Sequence, residues 1–474
     1  IFSYFFYLIY FTDSRKSRNK VLWITQKKYF SAWIELKSLL TQSLFFFVAS
    51  IPFFTYGVET TTLTASAHSG HFITSDDVPW STTVLVLAAG ISAPIWCYII
   101  NRFGRQVGVF IISLVQGTSL IPLFLLNETS SLILHGFAGL ASGGLFTILP
   151  TYIREITSPK IRAFSMTLLM AMMSAGYMMK LAMSAEERRF LIAATVTCQV
   201  ICLLLIVESP SYLVMKGKFE AARKRIAKLK GLEQDNVDVA TQLAELKNES
   251  ERARSGGRLP VISLYRNKIW WDSIKMALVL QTTMVLCGNV LFLDQKKTLM
   301  QLKVDSDPQN ILVLTAMLAG GVFAALSSCV FDRKYILTLG YVLMALASGV
   351  IGVYTQVDLT VTTLRWLPYA ALAVLVFGYG VSWALPLIIA VEIFNFEIQA
   401  TLVGIFFSYA QLLKMAHVHT FQYIEDYVGL YTMLYIFASI NLYGAVYALF
   451  VIPNIRHRNL KQIEKQIKRI PLPA

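Results

Sequence analysis

The sequence predicts an all-α membrane protein of twelve transmembrane helices in two six-helix halves. Three observations predict it. The first is composition: 55% of the 474 residues are hydrophobic and 15% are charged, with a mean hydropathy of +0.57. A soluble globular chain carries about 25% charge, so an apolar excess this large has to face lipid. The second is a recurrence of apolar runs between residues 38 and 453. Each is close to the ~20 residues a helix needs to cross the hydrocarbon core. The third is the spacing of Lys and Arg, which collect in alternate loops.

Taken in order, the predicted spans are 38–58, 80–100, 107–126, 131–153, 163–183, 190–207, 270–293, 311–331, 335–357, 366–391, 401–421 and 429–453. Their Gly, Pro and β-branched residues are compatible with helices in lipid, where freed backbone groups bond to neighbouring helices. The basic loops carry Arg15 to Lys37, Arg102 and Arg105, Arg154 to Arg162, Lys216 to Lys268, Arg333 and Lys334, and Arg456 to Arg469. The opposite loops are lean or acidic, with Asp76, Asp77, Glu128, Glu425 and Asp426. The positive-inside rule then places both termini in the cytoplasm and explains the net charge of +14 without nucleic acid. The domain reading is a cytoplasmic tail 1–37, a bundle 38–207, a polar cytoplasmic loop 208–269, a second bundle 270–453 and a basic tail 454–474. Within the loop, 219–231 has the pattern of an amphipathic helix ending on Gly231. The apolar stretch 1–12 is too short to span, and reads as a truncated start or an interfacial anchor, not a signal peptide. Asn127-Glu-Thr129 is a glycosylation sequon in a loop too short for use, and Asn248-Glu-Ser250 lies on the cytoplasmic side.

The residue inventory excludes other classes. Five Cys with no CxxC pair argue against a disulfide scaffold or a zinc site, and Cys198 and Cys202, one turn apart, read as neighbouring buried thiols. No nucleophile–base set or phosphate loop is present, so an enzyme is not expected, nor any cofactor or metal. Met166, Met170 and Met173 form one face of the fifth span and read as packing. Gly139 and Gly143 form a helix-contact motif. His417 and His419, near the outer end of span eleven, read as a polar lining or an interfacial position.

The two halves echo each other: Asn101-Arg102-Phe103-Gly104-Arg105-Gln106 after span two has a counterpart in Asp332-Arg333-Lys334 after span eight. Repeated six-helix halves are how many secondary transporters are built. With Pro150, Tyr152, Glu155 and Arg162 after span four, and Glu208, Ser209, Pro210 and Leu213 after span six, the chain resembles the sugar porter family of the major facilitator superfamily. Within it, the insect facilitated trehalose transporters look nearest, Trp80 opening span two as in those members. The resemblance runs from about residue 38 to about residue 465.

The resemblance implies the major facilitator fold, alternating access, and an inner salt-bridge gate. The gate residues it carries over are Arg102, Gly104, Arg105, Glu155, Arg162 and Glu208 in the first half, and Asp332, Arg333 and Glu392 in the second. The plain alternative is that these charges are anchors that set topology. The family's second-half Arg is Gln399 here. The pocket departs further. Of the span-seven pattern only Gln281 remains, with Thr282, Cys287 and Phe292 at other family positions. Met170 stands at the family's span-five Gln, and Leu387 at its span-ten Trp, with Trp383 one turn earlier. Sugar hydroxyls must keep hydrogen bonds on leaving water, so these losses matter. The substrate-binding candidates are Gln281, Thr282, Phe292, Trp383, Gln411 and Lys414. Lys414 is an ammonium inside span eleven, a placement that usually lines a cavity.

The expected protein is a monomeric plasma-membrane carrier of a sugar or similar small polar solute, by facilitated diffusion. The alternatives are a divergent relative that does not transport, a solute sensor or a decayed paralogue, favoured by the lost pocket groups, and an organic-anion carrier on the same fold, favoured by Lys414.

Overall fold

The protein is described by a computed structural model over residues 37–60, 80–119, 128–158, 161–202, 206–255, 268–289, 306–357, 366–456, 458 and 460–467. Phe292, residues 1–12, and Asn127 of the first sequon lie outside the described residues. Every regular element among the described residues is helical. The first half holds α1 Lys37–Thr60, α2 Trp80–Phe103, α3 Arg105–Thr118, α4 Glu128–Ile156, α5 Arg162–Ala182 and α6 Ala185–Cys202. The polar loop holds α7 Pro210–Met215, α8 Phe219–Lys230 and α9 Val237–Ser255. The second half holds α10 Lys268–Val285, α11 Ser306–Ser327, α12 Arg333–Gln356, α13 Leu367–Ser382, α14 Leu385–Ile393, α15 Phe396–Val428 and α16 Leu430–Val451, followed by α17 Leu460–Ile467. With α13 and α14 taken as one interrupted span, the twelve predicted apolar runs each meet a helix. Seven described spans are long and apolar enough to cross a membrane by length and composition. The rest are shorter or more polar in the stretch described.

Several boundaries differ from the sequence reading, for local reasons. The tenth run is not one continuous helix: Trp383 and Ala384 separate α13 from α14, and Pro386 sits in the first turn of α14, where a missing N–H costs least. The helix of the seventh run, α10, ends at Val285, and the chain then bends through Gly288 at φ 96°. The eleventh extends to Phe396 and Val428, because its polar ends continue the helix past the apolar stretch. In the loop, α8 ends as predicted on Gly231 in the left-handed conformation, φ 63°. Ala222, Ile226, Ala227 and Leu229 of α8 are buried, so the amphipathic face is used.

Each half has its own apolar core. The glycine pair on α4 sets the tightest contact in the first: a Cβ on Gly139 would lie 2.4 Å from the Leu85 carbonyl oxygen, and one on Gly143 would lie 2.1 Å from Ser92 Oγ. Only glycine lets the backbones of α2 and α4 approach this closely. Met166, Met170 and Met173 are buried in that core, as the packing reading holds. The second core gathers around Tyr341, Met344, Leu375, Phe421 and Phe437. His417 belongs with it: its ring meets Phe421 at 6.2 Å and Phe437 at 5.9 Å, edge-on, so it is a core residue and not a lining one. Cys198 and Cys202 correct the expectation of burial: the sulfurs are 3.9 Å apart, but Cys198 is exposed on α6 and Cys202 half-buried.

The halves meet along two seams, α2 against α15 and α5 against α11. On the first, Ser408 Oγ donates to the Gly90 carbonyl at 2.6 Å, Cys97 Sγ to the Ala400 carbonyl at 3.0 Å, and Asn101 Nδ2 to Thr401 Oγ1 at 3.2 Å. The first core also takes in Leu387, Ile388, Val391, Val403 and Phe407 from the second half, so apolar packing crosses the interface.

Candidate functional site

The site has two levels, one at the basic end of the bundle and one deeper between the halves. At the basic end, Gly104 is the single residue between α2 and α3, at φ 109°. A side chain there would be strained and would place Cβ 2.2 Å from Glu208 Oε2. The turn brings the first amides of α3 onto the Glu208 carboxylate, which accepts from Arg105 N at 2.9 Å and Gln106 N at 3.3 Å. An acceptor of negative charge at a helix N-terminus satisfies orphan amides and complements the helix dipole. Glu208 also accepts from Ser209 N at 2.9 Å, and Tyr212 donates its hydroxyl to the Arg102 carbonyl at 2.8 Å. Burial pushes the Glu208 carboxyl upward from its ordinary range, against the pull of these donors and of Arg105. Glu208 therefore clamps the loop to α3; it is not one side of a charge pair between the halves.

Arg105 and Glu155 form a bidentate pair inside the first half, with Nε to Oε2 at 3.0 Å and Nη2 to Oε1 at 2.9 Å. The second half repeats it: Arg333, also the first residue of its helix, pairs with Glu392 near the end of α14. Both pairs are buried. Arg102 instead donates to Tyr98 Oη at 2.6 Å on the exposed surface, and Arg162 makes a long contact to the Thr157 carbonyl at 3.4 Å. Asp332 precedes α12 without a side-chain capping bond.

A charged contact between the halves at this end belongs to Arg154, which the sequence marks only as a topology charge. Arg154 Nη1 donates to the Val391 and Phe394 carbonyls, each at 2.7 Å, and to Gln399 Oε1. Its Nη2 lies 3.5 Å from the Glu392 carbonyl. A guanidinium is suited to this place, since the last carbonyls of α14 are unpaired by the helix and carry the negative end of its dipole. The available signal was the Gln at 399: a lost cation on one side invites a cation on the other.

Deeper, five aromatic rings from both halves converge. Phe146 of α4 stacks on Phe407 of α15 at 5.1 Å and 15°, and meets Trp383 edge-on at 6.1 Å. From α1, Phe53 and Tyr56 meet the same ring edge-on at 5.1 and 6.4 Å. Trp383 thus lies between the halves. Thr282 points elsewhere: it bonds to Tyr409 Oη of α15 at 2.8 Å and to its own helix at the Leu278 carbonyl. Gln281 is buried on α10. Gln411 and Lys414 are half-buried on α15, and Gln411 Cβ lies close to Gly90 of α2, on the seam between the halves.

Two repeated halves, joined along two seams and clamped at one end by buried arginines, define a major facilitator carrier. The sequence matches the family described as Sugar (and other) transporter over residues 30–466, and the chain belongs to that family. It is similar to the facilitated trehalose transporter Tret1 of Bombyx mori, 22% identical over 414 residues, covering 83% of this chain and 80% of that protein. The facilitated glucose transporter member 2 of solute carrier family 2 from Gallus gallus is 23% identical over 430 residues, covering 83% and 77%. In fold it is similar to the proton:xylose symporter XylE bound to 6-bromo-6-deoxy-D-glucose, with a TM-score of 0.77, 17% identity, and coverage of 90% of this chain and 99% of that one. The inward-open conformation of XylE from E. coli gives a TM-score of 0.62 at 17% identity over 89% and 98%.

Proposed function

We propose that this protein carries a small polar solute, of the sugar class or close to it, across the plasma membrane by alternating access and facilitated diffusion. The rocking units are residues 38–207 and 270–453, with the solute between them, and the chain works as a monomer. Both termini and helices α7 to α9 face the cytoplasm, since the basic loops share that end. The observation that carries the reading is the pair of equivalent clamps, Arg105–Glu155 and Arg333–Glu392, one in each half, with Arg154 joining the halves through groups that water can replace. Contacts of that kind close one end of the molecule and release it again, which a continuous apolar core does not. Arg105, Glu155, Arg333 and Glu392 keep each half rigid as it moves, while Gly104 and Glu208 hold the first clamp in place. Uptake of labelled glucose, trehalose and a panel of organic anions in oocytes tests the reading. Uptake of one class above that of uninjected cells supports it, and no uptake by surface-expressed protein refutes it.

A second reading, a solute sensor without transport, is favoured by one observation: aromatic rings occupy the space between the halves where a carried solute would sit.

A further inference from the structure

The basic residues of α8 do not all serve the same side of the helix. Arg223 and Lys230 turn toward the α8–α9 connection, where Arg223 Nη2 donates to Asp235 Oδ1 at 3.0 Å and Lys230 Nζ to the Asp238 carbonyl at 3.2 Å. Lys224 and Lys228, one turn apart, share another face and are exposed. Glu220, a turn before Lys224, bounds that face. The apolar side of α8 is taken up by protein: Ala222 packs with Leu213 and Val214 of α7, and Ile226 and Ala227 with Val239 of α9.

The Lys224–Lys228 face lies against the membrane-spanning part of the molecule. Ser38 Oγ of α1 donates to the Leu229 carbonyl at 3.5 Å, and Lys228 Nζ is 5.8 Å from the centre of the Phe45 ring, about two turns in from the start of α1. Leu40, Leu44 and Phe47 on these turns are exposed, an apolar surface that in a spanning helix meets lipid. The height of α8 is fixed by a chain of bonds: Gln42 Nε2 donates to Ser38 Oγ at 3.0 Å, and Gln42 Oε1 accepts from Ser158 N at 2.8 Å, just past the end of α4. An exposed ammonium beside lipid-facing residues keeps its charge among the headgroups while its methylenes lie on apolar surface. We propose that Lys224 and Lys228, with the start of α1 beside them, form a binding surface for anionic phospholipid headgroups of the cytoplasmic leaflet. Lys228 meets the phosphate at the edge of the acyl region, and Lys224 adds charge one turn away. The name of the leaflet rests on the orientation proposed above; the lipid site itself is tested apart from it.

The test is binding of phosphatidylserine and of phosphatidylcholine with the same acyl chains to the purified full chain in non-ionic detergent, counted by native mass spectrometry. A basic side chain at an anionic surface contributes a factor of about five in affinity, so the pair contributes about 25-fold. Wild type should bind phosphatidylserine at least tenfold more tightly than phosphatidylcholine. Lys224→Gln with Lys228→Gln should remove most of that preference and leave phosphatidylcholine binding unchanged. Lys224→Arg with Lys228→Arg should keep it. Lys216→Gln with Lys218→Gln removes the same charge from exposed positions before α8 and should stay within threefold of wild type. Equal losses in the two Gln pairs overturn the proposal, because net charge alone would then explain binding. So does a wild-type protein without preference for phosphatidylserine, or full competition by soluble glycerophosphoserine, which would make the site one for free anions. If the Lys224 and Lys228 double variant does not fold, Lys224→Gln alone should lose about fivefold, and no loss there overturns the proposal.

Discussion

Replacing Arg154 by Ala should open the basic end of the molecule. The side chain makes two charge-assisted bonds at 2.7 Å to backbone carbonyls of the other half, besides its bond to Gln399. A hydrogen bond to a charged group is worth about 1.5–3 kcal/mol net, so the two carbonyl bonds alone amount to about 3–6 kcal/mol. The contact is half-buried, and water takes the place of the lost partner when the ends part, which favours the lower figure. A loss of about 3 kcal/mol from the closed state alone is roughly a hundredfold in the closed-to-open ratio. The chain carries its own reporter: Cys97, buried on the α2–α15 seam near this end with its sulfur on the Ala400 carbonyl. In a background where Cys198, Cys202, Cys287 and Cys329 are replaced by Ala, the rate at which Cys97 reacts with a maleimide measures opening. Arg154→Ala should raise that rate by one to two orders of magnitude. A rate unchanged from the Arg154 protein, with an unchanged melting temperature, would refute the assignment of the cross-link to Arg154.

The remaining predictions follow from the same geometry. Gln399→Arg alone should also speed Cys97 labelling, because it sets two guanidinium groups at one contact, whereas Arg154→Ala combined with Gln399→Arg should return the rate toward that of the parent; equal rates in the single and double variants would contradict the charge argument. Arg105→Ala should destabilise the first half by about 3–5 kcal/mol by leaving the buried Glu155 carboxylate unpaired, and a double-mutant cycle with Glu155→Ala, read from thermal unfolding in detergent, should recover most of that cost. Gly104→Ala should lower expression and melting temperature sharply, since its Cβ meets the Glu208 carboxylate at 2.2 Å with φ at 109°. If the carried solute is anionic, Lys414→Met should abolish its uptake without loss of surface expression; transport of the same solutes with the same affinity would remove Lys414 from the site. An epitope at residue 240, on α9, should be reached by antibody only in permeabilised cells, and labelling of intact cells would reverse the orientation.

The fold class lay open in the sequence because lipid imposes it one segment at a time. Each span must satisfy its own backbone and bury its own apolar surface, so composition and run length over ~20 residues suffice to find it. The clamps were legible for a related reason. Arg105 and Arg333 each open a helix just after a turn, and Glu155 and Glu392 each sit near the end of one, so the repeat between halves appears as repeated short motifs. Only the tertiary structure decided which charge crosses the interface. Arg102, Arg154 and Arg162 look alike in the sequence, but the direction of each side chain depends on helix rotation and on which half stands opposite. That geometry sends Arg102 to Tyr98, leaves Arg162 beside Thr157, and delivers Arg154 alone of the three to the carbonyls of α14. The same holds for the junction between the halves. Phe53, Tyr56, Phe146, Trp383 and Phe407 are ordinary apolar residues along four separate stretches of chain, and their meeting is a property of how two bundles pack, which no local pattern records.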